Sequence, residues 1–231
     1  MTPPDITPVG PKDIEAAAAG VNRLAQRLFG PALAELGEIP ADWLRFWRVK
    51  NLAAISRRVD QMSEQRGLDP SGVRGVALSI GLPLLEKASL QDDPFLQDWW
   101  AGLIAGVGSE DDEDAETFGL DATYVEAMGQ LTKLDCKILT YVCEHGVRRR
   151  TEEGDIVTYA LDPEDISRKY GRYAHIAVEK LVALGLIQRH PKVPLTRGGP
   201  GGLAEVVQPS MIGLNLYAEA TGKLPERLVE E

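Results

Sequence analysis

Apolar residues return every three or four positions along most of the first half of the chain, the period of a helix with one buried face. Ile14, Ala18, Val21, Leu24/Ala25 and Leu28 form a first such stripe, with Asp13 as its cap, and Gly30-Pro31 interrupts it. Leu33, Leu36 and Ile39 form a second. Pro40 and Asp42 open a strongly amphipathic helix. In it Trp43, Phe46/Trp47, Leu52 and Ile55 are apolar, Arg45, Arg48, Arg57 and Arg58 are charged, and the run ends near Gly67. GLDPSG predicts a turn, followed by Val73, Val76/Ala77, Ile80 and Leu84 at helical spacing, with a kink or restart at Pro83. In ASLQDDPFLQDWWAGLIAGV (residues 88–107), Asp93 and Pro94 read as an N-cap and a first-turn proline. Phe95/Leu96, Trp99/Trp100, Leu103/Ile104 and Val107 then make a wide apolar stripe. Ala101/Gly102 and Ala105/Gly106 make a second face of small residues. This predicts a helix buried on two sides, with Asp92, Asp93 and Asp98 as cap and solvated edge. Residues 108–116, GSEDDEDAE, read as an acidic loop, and a short helix is expected over Leu120–Met128.

The pattern then changes. Leu131–Gly146 predicts a helix with Leu134, Ile138 and Tyr141/Val142 on one side. VRRRTEEGDIVTYALD has the look of a hairpin, with Ile156, Thr158 and Ala160 alternating. Asp162 and Pro163 open a helix in PEDISRKYG, and RYAHIAVEKLVALGLIQRH predicts the next, stopped at Gly185. LIQRHPKVPLTRGGPGGLAEVVQPS predicts two short strands around a glycine-rich tip, and SMIGLNLYAEATG a closing helix. Ile166 is placed to pack on Ile176/Ala177 and Leu181, with Leu184, Leu186 and Ile187 closing the core.

That succession resembles a winged helix-turn-helix domain, and LGLI followed by Gln-Arg suits a helix C-cap running into a strand. The fold class expected is mainly α: an N-terminal helical bundle plus a C-terminal winged helix-turn-helix-like domain with a small β-wing. The expected divisions are a flexible arm over 1–12, the bundle over 13–130, the winged-helix-like domain over 131–223 and a tail over 224–231. At larger scale, FWRVKNLAAISRRVDQM, LPLLEKASLQDDPFLQDWWAGLIAG, and LTKLDCKIL with EKLVALGLI resemble, in this order over roughly residues 30–190, the Abi-alpha family of bacterial proteins associated with abortive infection or phage defence. Trp99 is an extra bulky residue within the central motif. The resemblance implies a defence context and assigns no catalytic residues.

Composition narrows the function classes. The 231 residues carry a formal net charge of −10, which opposes general binding of polyanions while leaving a local basic face open. Cys136 and Cys143 lie seven apart in one predicted helix, about 10 Å along its axis, too far for a disulfide. They read as core residues in a reducing cytoplasm, the expected location. No basic n-region with an apolar stretch marks a secretory signal, and no apolar run reaches a membrane-spanning length.

No cofactor, metal site or catalytic residue is expected. His145 sits at a predicted helix C-terminus, where an imidazolium suits the dipole, and His175 and His190 fall on the turn and wing surface. Arg197–Gly202, RGGPGG, lacks the lysine and following helix of a phosphate loop and reads as a wing tip. The acidic loop lacks calcium-loop spacing. WLRFWR (43–48) mixes aromatic and basic residues as a membrane-interface helix does, but bundle core with snorkelling arginines accounts for it.

Charge is locally asymmetric: between Ile166 and Gly198 stand Arg168, Lys169, Arg172, Lys180, Arg189, Lys192 and Arg197, against Glu179 alone. The candidate nucleic-acid- or partner-binding residues are Arg168, Lys169, Arg172, Tyr173, His175, Lys192 and Arg197. A winged helix would set its second helix in the major groove and the wing beside it. Such modules also dock proteins. Host or phage protein, or duplex DNA through this face, are therefore the expected partners, with self-association possible and membrane not expected. The function expected is anti-phage defence by binding rather than catalysis. The alternative is a DNA-binding transcriptional regulator whose bundle dimerises or senses.

Overall fold

The computed structural model describes residues 46–67, 78–106, 122–145, 149–150, 156–157, 161–191 and 205–223, together with Ala19, Gly20 and Leu24. Among these residues the chain is mainly helical. The elements are α1 (Phe46–Gln65), α2 (Leu78–Ser89), α3 (Pro94–Gly106), α4 (Ala122–Gln130), α5 (Lys133–His145), β1 (Arg149–Arg150), β2 (Ile156–Val157), α6 (Pro163–Tyr170), α7 (Ala174–Ala183), β3 (Ile187–Pro191), β4 (Glu205–Pro209) and α8 (Met211–Thr221). The chain divides into two compact units, Met1–Asp121 and Ala122–Glu231. The expected arm over 1–12, helix over 33–39, acidic loop over 108–116 and tail over 224–231 lie outside the described residues.

In the first unit, α3 packs on α1, and α2 packs on α1 as well. Asp93 caps α3: its Oδ1 accepts from the Phe95 N–H at 2.8 Å and the Leu96 N–H at 3.4 Å, with Pro94 at the first helical position. Burial then covers the helix almost all round, taking in Leu96, Gln97, Trp99, Trp100, Ala101, Gly102, Leu103, Ile104 and Ala105. From α1, Leu52, Ala53, Ile55 and Val59 are buried, and Leu24 joins this core. Each large side chain so buried contributes roughly 1.5–3 kcal/mol. Small residues on α3 let α1 come close enough for the Arg66 guanidinium to donate to the Gly102 carbonyl at 3.2 Å. Asp98, half exposed at the helix edge, also accepts from Arg58 Nε of α1 at 2.6 Å. Asn51 Nδ2 donates to the Ser89 carbonyl at 3.0 Å, tying α1 to the end of α2. Helix α2 runs unbroken through Pro83, so the expected restart does not occur; the proline forgoes one backbone hydrogen bond inside the helix. Of the aromatic-basic stretch 43–48, Trp43 and the side chains of Phe46 and Trp47 lie outside the described residues.

The second unit is built around α5, which packs on α6, α7, α8 and β4. Helix α4 leads into it through a two-residue turn and belongs to the same compact unit. A capping box explains the turn: the Thr132 N–H donates to Asp135 Oδ2 at 2.7 Å, and the Asp135 N–H donates back to Thr132 Oγ1 at 3.3 Å. Cys136, Ile138, Leu139, Val142 and Cys143 of α5 meet Ile166 of α6, Ala174, Ala177, Val178 and Leu181 of α7, and Leu216, Tyr217 and Ala220 of α8 in one buried set. Both cysteines are free and buried.

Strand β3 pairs antiparallel with β4 from Ile187↔Pro209 to Pro191↔Glu205, and Leu161 bridges Val207 on the other side of β4. A second, separate pair joins β1 to β2, with Arg149↔Val157 and Arg150↔Ile156. Of the alternating hairpin residues, Thr158 and Ala160 lie outside the described residues, as does the glycine-rich tip.

The passage from α7 into β3 is a Schellman ending. The Leu186 N–H reaches the Leu181 carbonyl and the Gly185 N–H the Val182 carbonyl, both at 2.9 Å. Ser210 then clamps α8 to that turn: its Oγ donates to the Gly185 carbonyl at 2.5 Å, and its N–H donates to the Leu186 carbonyl at 3.0 Å. The approach is so close that a Cβ on Gly213 would stand 1.9 Å from the Leu186 carbonyl oxygen. Only glycine fits there.

Candidate functional site

Five of the seven residues singled out from the sequence come together where α6 turns into α7. Asp162 caps α6, accepting from the Glu164 N–H at 2.9 Å, and Pro163 starts the helix. Arg168 and Lys169 fall in its last turn, where cations complement the helix dipole. Gly171 ends it at φ 85°, ψ −177°, backbone space open essentially to glycine alone, with its N–H donating to the Ser167 carbonyl at 2.8 Å. Arg172 and Tyr173 make the turn, and His175 lies in the first turn of α7. All five side chains are exposed. Lys192 and Arg197 lie outside the described residues, as does the side chain of His190.

Most of the charge in this region is engaged within the fold. Arg168 Nη1 pairs with Asp165 Oδ1 at 2.7 Å. The Lys169 ammonium stands 3.7 Å from the centre of the Tyr141 ring, which packs edge-on against Tyr170 at 5.8 Å. Lys180 is turned inward: its Nζ lies 2.6 Å from Oδ2 of the buried Asp135 and so locks α7 to the capping box of α5. Arg189 of β3 pairs with Glu179 of α7.

Arg172 differs. Its Nη2 donates to the Tyr173 hydroxyl at 2.9 Å and its guanidinium lies 4.8 Å from that ring's centre, and among the described residues no carboxylate pairs with it. His175 Nδ1 is 2.5 Å from the Arg172 carbonyl. A carbonyl oxygen only accepts, so Nδ1 is the donor in this contact.

One residue of the site differs from the sequence reading. Ile176, expected to face partly inward beside Ala177, is 56% exposed, and Tyr173 beside it is 57% exposed. The inward face of α7 is Ala174, Ala177, Val178 and Leu181, spaced i, i+3, i+4, i+7. Ile176 stands off that stripe, and the alanines at 174 and 177 were the signal that could have placed it. The surface of α7 accordingly shows Tyr173 and Ile176 a turn apart, beside His175, Glu179 and Ala183.

Two reactive groups elsewhere in the second unit, the Cys143 thiol and the Tyr217 phenol, are occupied in packing. Burial, reinforced by Glu144, pushes the Cys143 thiol far above its ordinary range. Burial and the 2.8 Å hydrogen bond donated to Glu144 push the Tyr217 phenol up as well. Among the described residues no three His, Cys, Asp or Glu side chains are grouped to hold a metal ion, and no helix is long and apolar enough to cross a membrane.

Charge divides unevenly between the units. Residues 1–121 contain 11 basic and 20 acidic residues, and residues 122–231 contain 14 and 15. The strongly acidic character of the chain therefore belongs to the first unit, and the unit bearing the α6–α7 corner is nearly neutral. Compared with known proteins, the chain matches a family model described as abortive infection alpha over residues 49–199, from early in α1 to the stretch between β3 and β4. No curated protein and no solved structure matches it.

Proposed function

The chain belongs to the abortive infection alpha family, and from that premise we propose that it is an anti-phage defence protein that works by binding rather than by catalysis. The second unit is a winged helix-turn-helix-like module in this reading. What supports it is the order α5, the Leu161 bridge, α6, a three-residue turn, α7, the β3–β4 pair and α8. The observation that carries the reading is the α6–α7 corner, where Arg172, Tyr173 and Ile176 stand exposed on a scaffold held by the Arg168–Asp165, Lys180–Asp135 and Arg189–Glu179 pairs. Binding as the mode of action is supported by Cys143 and Tyr217 of this unit, whose thiol and phenol are buried in packing. Two free thiols suit action in the cytoplasm.

A second reading, a DNA-binding regulator, is favoured by the near-neutral charge of the second unit and by the cations at the end of α6. Phage plating on cells with and without the gene separates the two, combined with cell survival at high multiplicity. Reduced plaque formation with death of infected cells is the expected outcome. Unchanged plating, together with salt-sensitive and sequence-selective retention of duplex DNA by the purified chain, would replace the first reading with the second.

A further inference from the structure

We propose that the α6–α7 corner docks a protein segment in which apolar side chains are flanked by carboxylates, and that duplex DNA is not its occupant. This rests on the reading of the corner as the working face and names what it holds.

Reading base edges in a major groove takes arginine, lysine, asparagine or glutamine along the inserted helix. Helix α7, AHIAVEKLVA, offers only His175, Glu179 and Lys180 as polar side chains. Lys180 is spent on the buried Asp135, and Glu179 is paired with Arg189. The exposed surface at the N-terminal end of α7 is instead apolar, with Tyr173 at the N-cap and Ile176 in the first turn each more than half exposed.

Tyrosine and arginine are the residues on which protein interfaces concentrate their binding energy, in a centre that excludes water. Here the Arg172 guanidinium lies against the Tyr173 ring. Its guanidinium offers a fork of donors suited to one carboxylate. Arg168 and Lys169 extend the positive charge on one side only, at the end of α6. The complementary partner therefore carries apolar side chains over Tyr173 and Ile176 and acidic ones toward Arg172. Of the other exposed large apolar side chains among the described residues, Met211 and Ile212 have no cationic residue within a turn in sequence, and Leu90, one turn after Lys87, has no second exposed large apolar side chain within a turn in sequence.

The test presents the purified full chain with a displayed library of random peptides and, separately, with a pool of randomised duplex DNA. Enriched peptides should combine Asp or Glu with Leu, Ile, Phe or Trp. Made synthetically, they should bind Tyr173→Ala and Ile176→Ala at least about tenfold more weakly than the wild-type chain. Ile176→Glu, which keeps the helix and adds a repelling charge, should bind them more weakly still, and Arg172→Gln should remove the preference for carboxylates. Each variant is compared at a thermal midpoint equal to that of wild type. No enrichment, enriched peptides without carboxylates, or equal binding by the variants would overturn the proposal. So would duplexes held through Tyr173 and Ile176. A chain that selects such peptides but gives no protection against phage would leave this docking site standing and remove the defence reading; protection without selection would do the reverse.

Discussion

Helices α3 and α7 are both apolar, and they use that character in opposite ways. Helix α3 is buried nearly all round, and its aspartates serve as a cap and as a partner for Arg58. Helix α7 buries one stripe, Ala174, Ala177, Val178 and Leu181, and leaves Tyr173 and Ile176 in solvent. The aromatic, acidic segment that looks most like a site is the packing centre of its unit. The short helix with fewer conspicuous residues keeps large apolar side chains exposed. A single exposed apolar side chain says little about function; neighbouring ones, as Tyr173 and Ile176 are, become informative when they form a shared patch.

Substitutions can break this comparison at either end. Truncating Trp100, fully buried in α3, to alanine should cost about 3–5 kcal/mol of stability in urea unfolding. A loss well under that would mean α3 is less tightly enclosed than described. In the second unit, Gly213→Ala forces a methyl group onto the Leu186 carbonyl and should cost about 1–3 kcal/mol or more in the same measurement. A neutral result would mean that α8 is not clamped to the turn after α7.

A third expectation concerns pH. Cys143 and Tyr217 stay protonated in the folded chain far above their ordinary values of 9.0 and 10.0, whereas the unfolded chain ionises them near those values. The folded state then holds more protons than the unfolded one. Stability is therefore full below about pH 9 and falls as the pH rises past it. Cys143→Ala should make that fall shallower, as read from thermal midpoints across the alkaline range.

The smallest stability effects belong to α7. Tyr173→Ala and Ile176→Ala should each change stability by no more than about 0.5 kcal/mol, because neither side chain is buried. Against the Trp100 truncation, that contrast is the difference between packing and surface.

Much of this was legible in the chain. Asp93-Pro94 and Asp162-Pro163 announced their helices because capping is local chemistry, and Leu-Gly-Leu-Ile announced the Schellman turn for the same reason. The strands on either side of the glycine-rich tip, and the helix after them, were also readable. What could not be read depends on residues far apart in sequence. Asp98 meets Arg58 across 40 positions, and Lys180 meets Asp135 across 45. No periodicity reveals either pair, yet the second removes a cation from the candidate basic face. Ile176 failed for a subtler reason: hydrophobicity argued for burial, while two alanines on the opposite side of the helix, with less apolar surface, in fact face the core.

The central claim is that the α6–α7 corner works while α3 only packs. It is tested most directly by plating phage on cells that express the Arg172→Ala/Tyr173→Ala/Ile176→Ala chain, once its thermal midpoint is matched to that of wild type. The account predicts a folded protein whose protection falls to the level of cells without the gene. Full protection by that folded variant would contradict it.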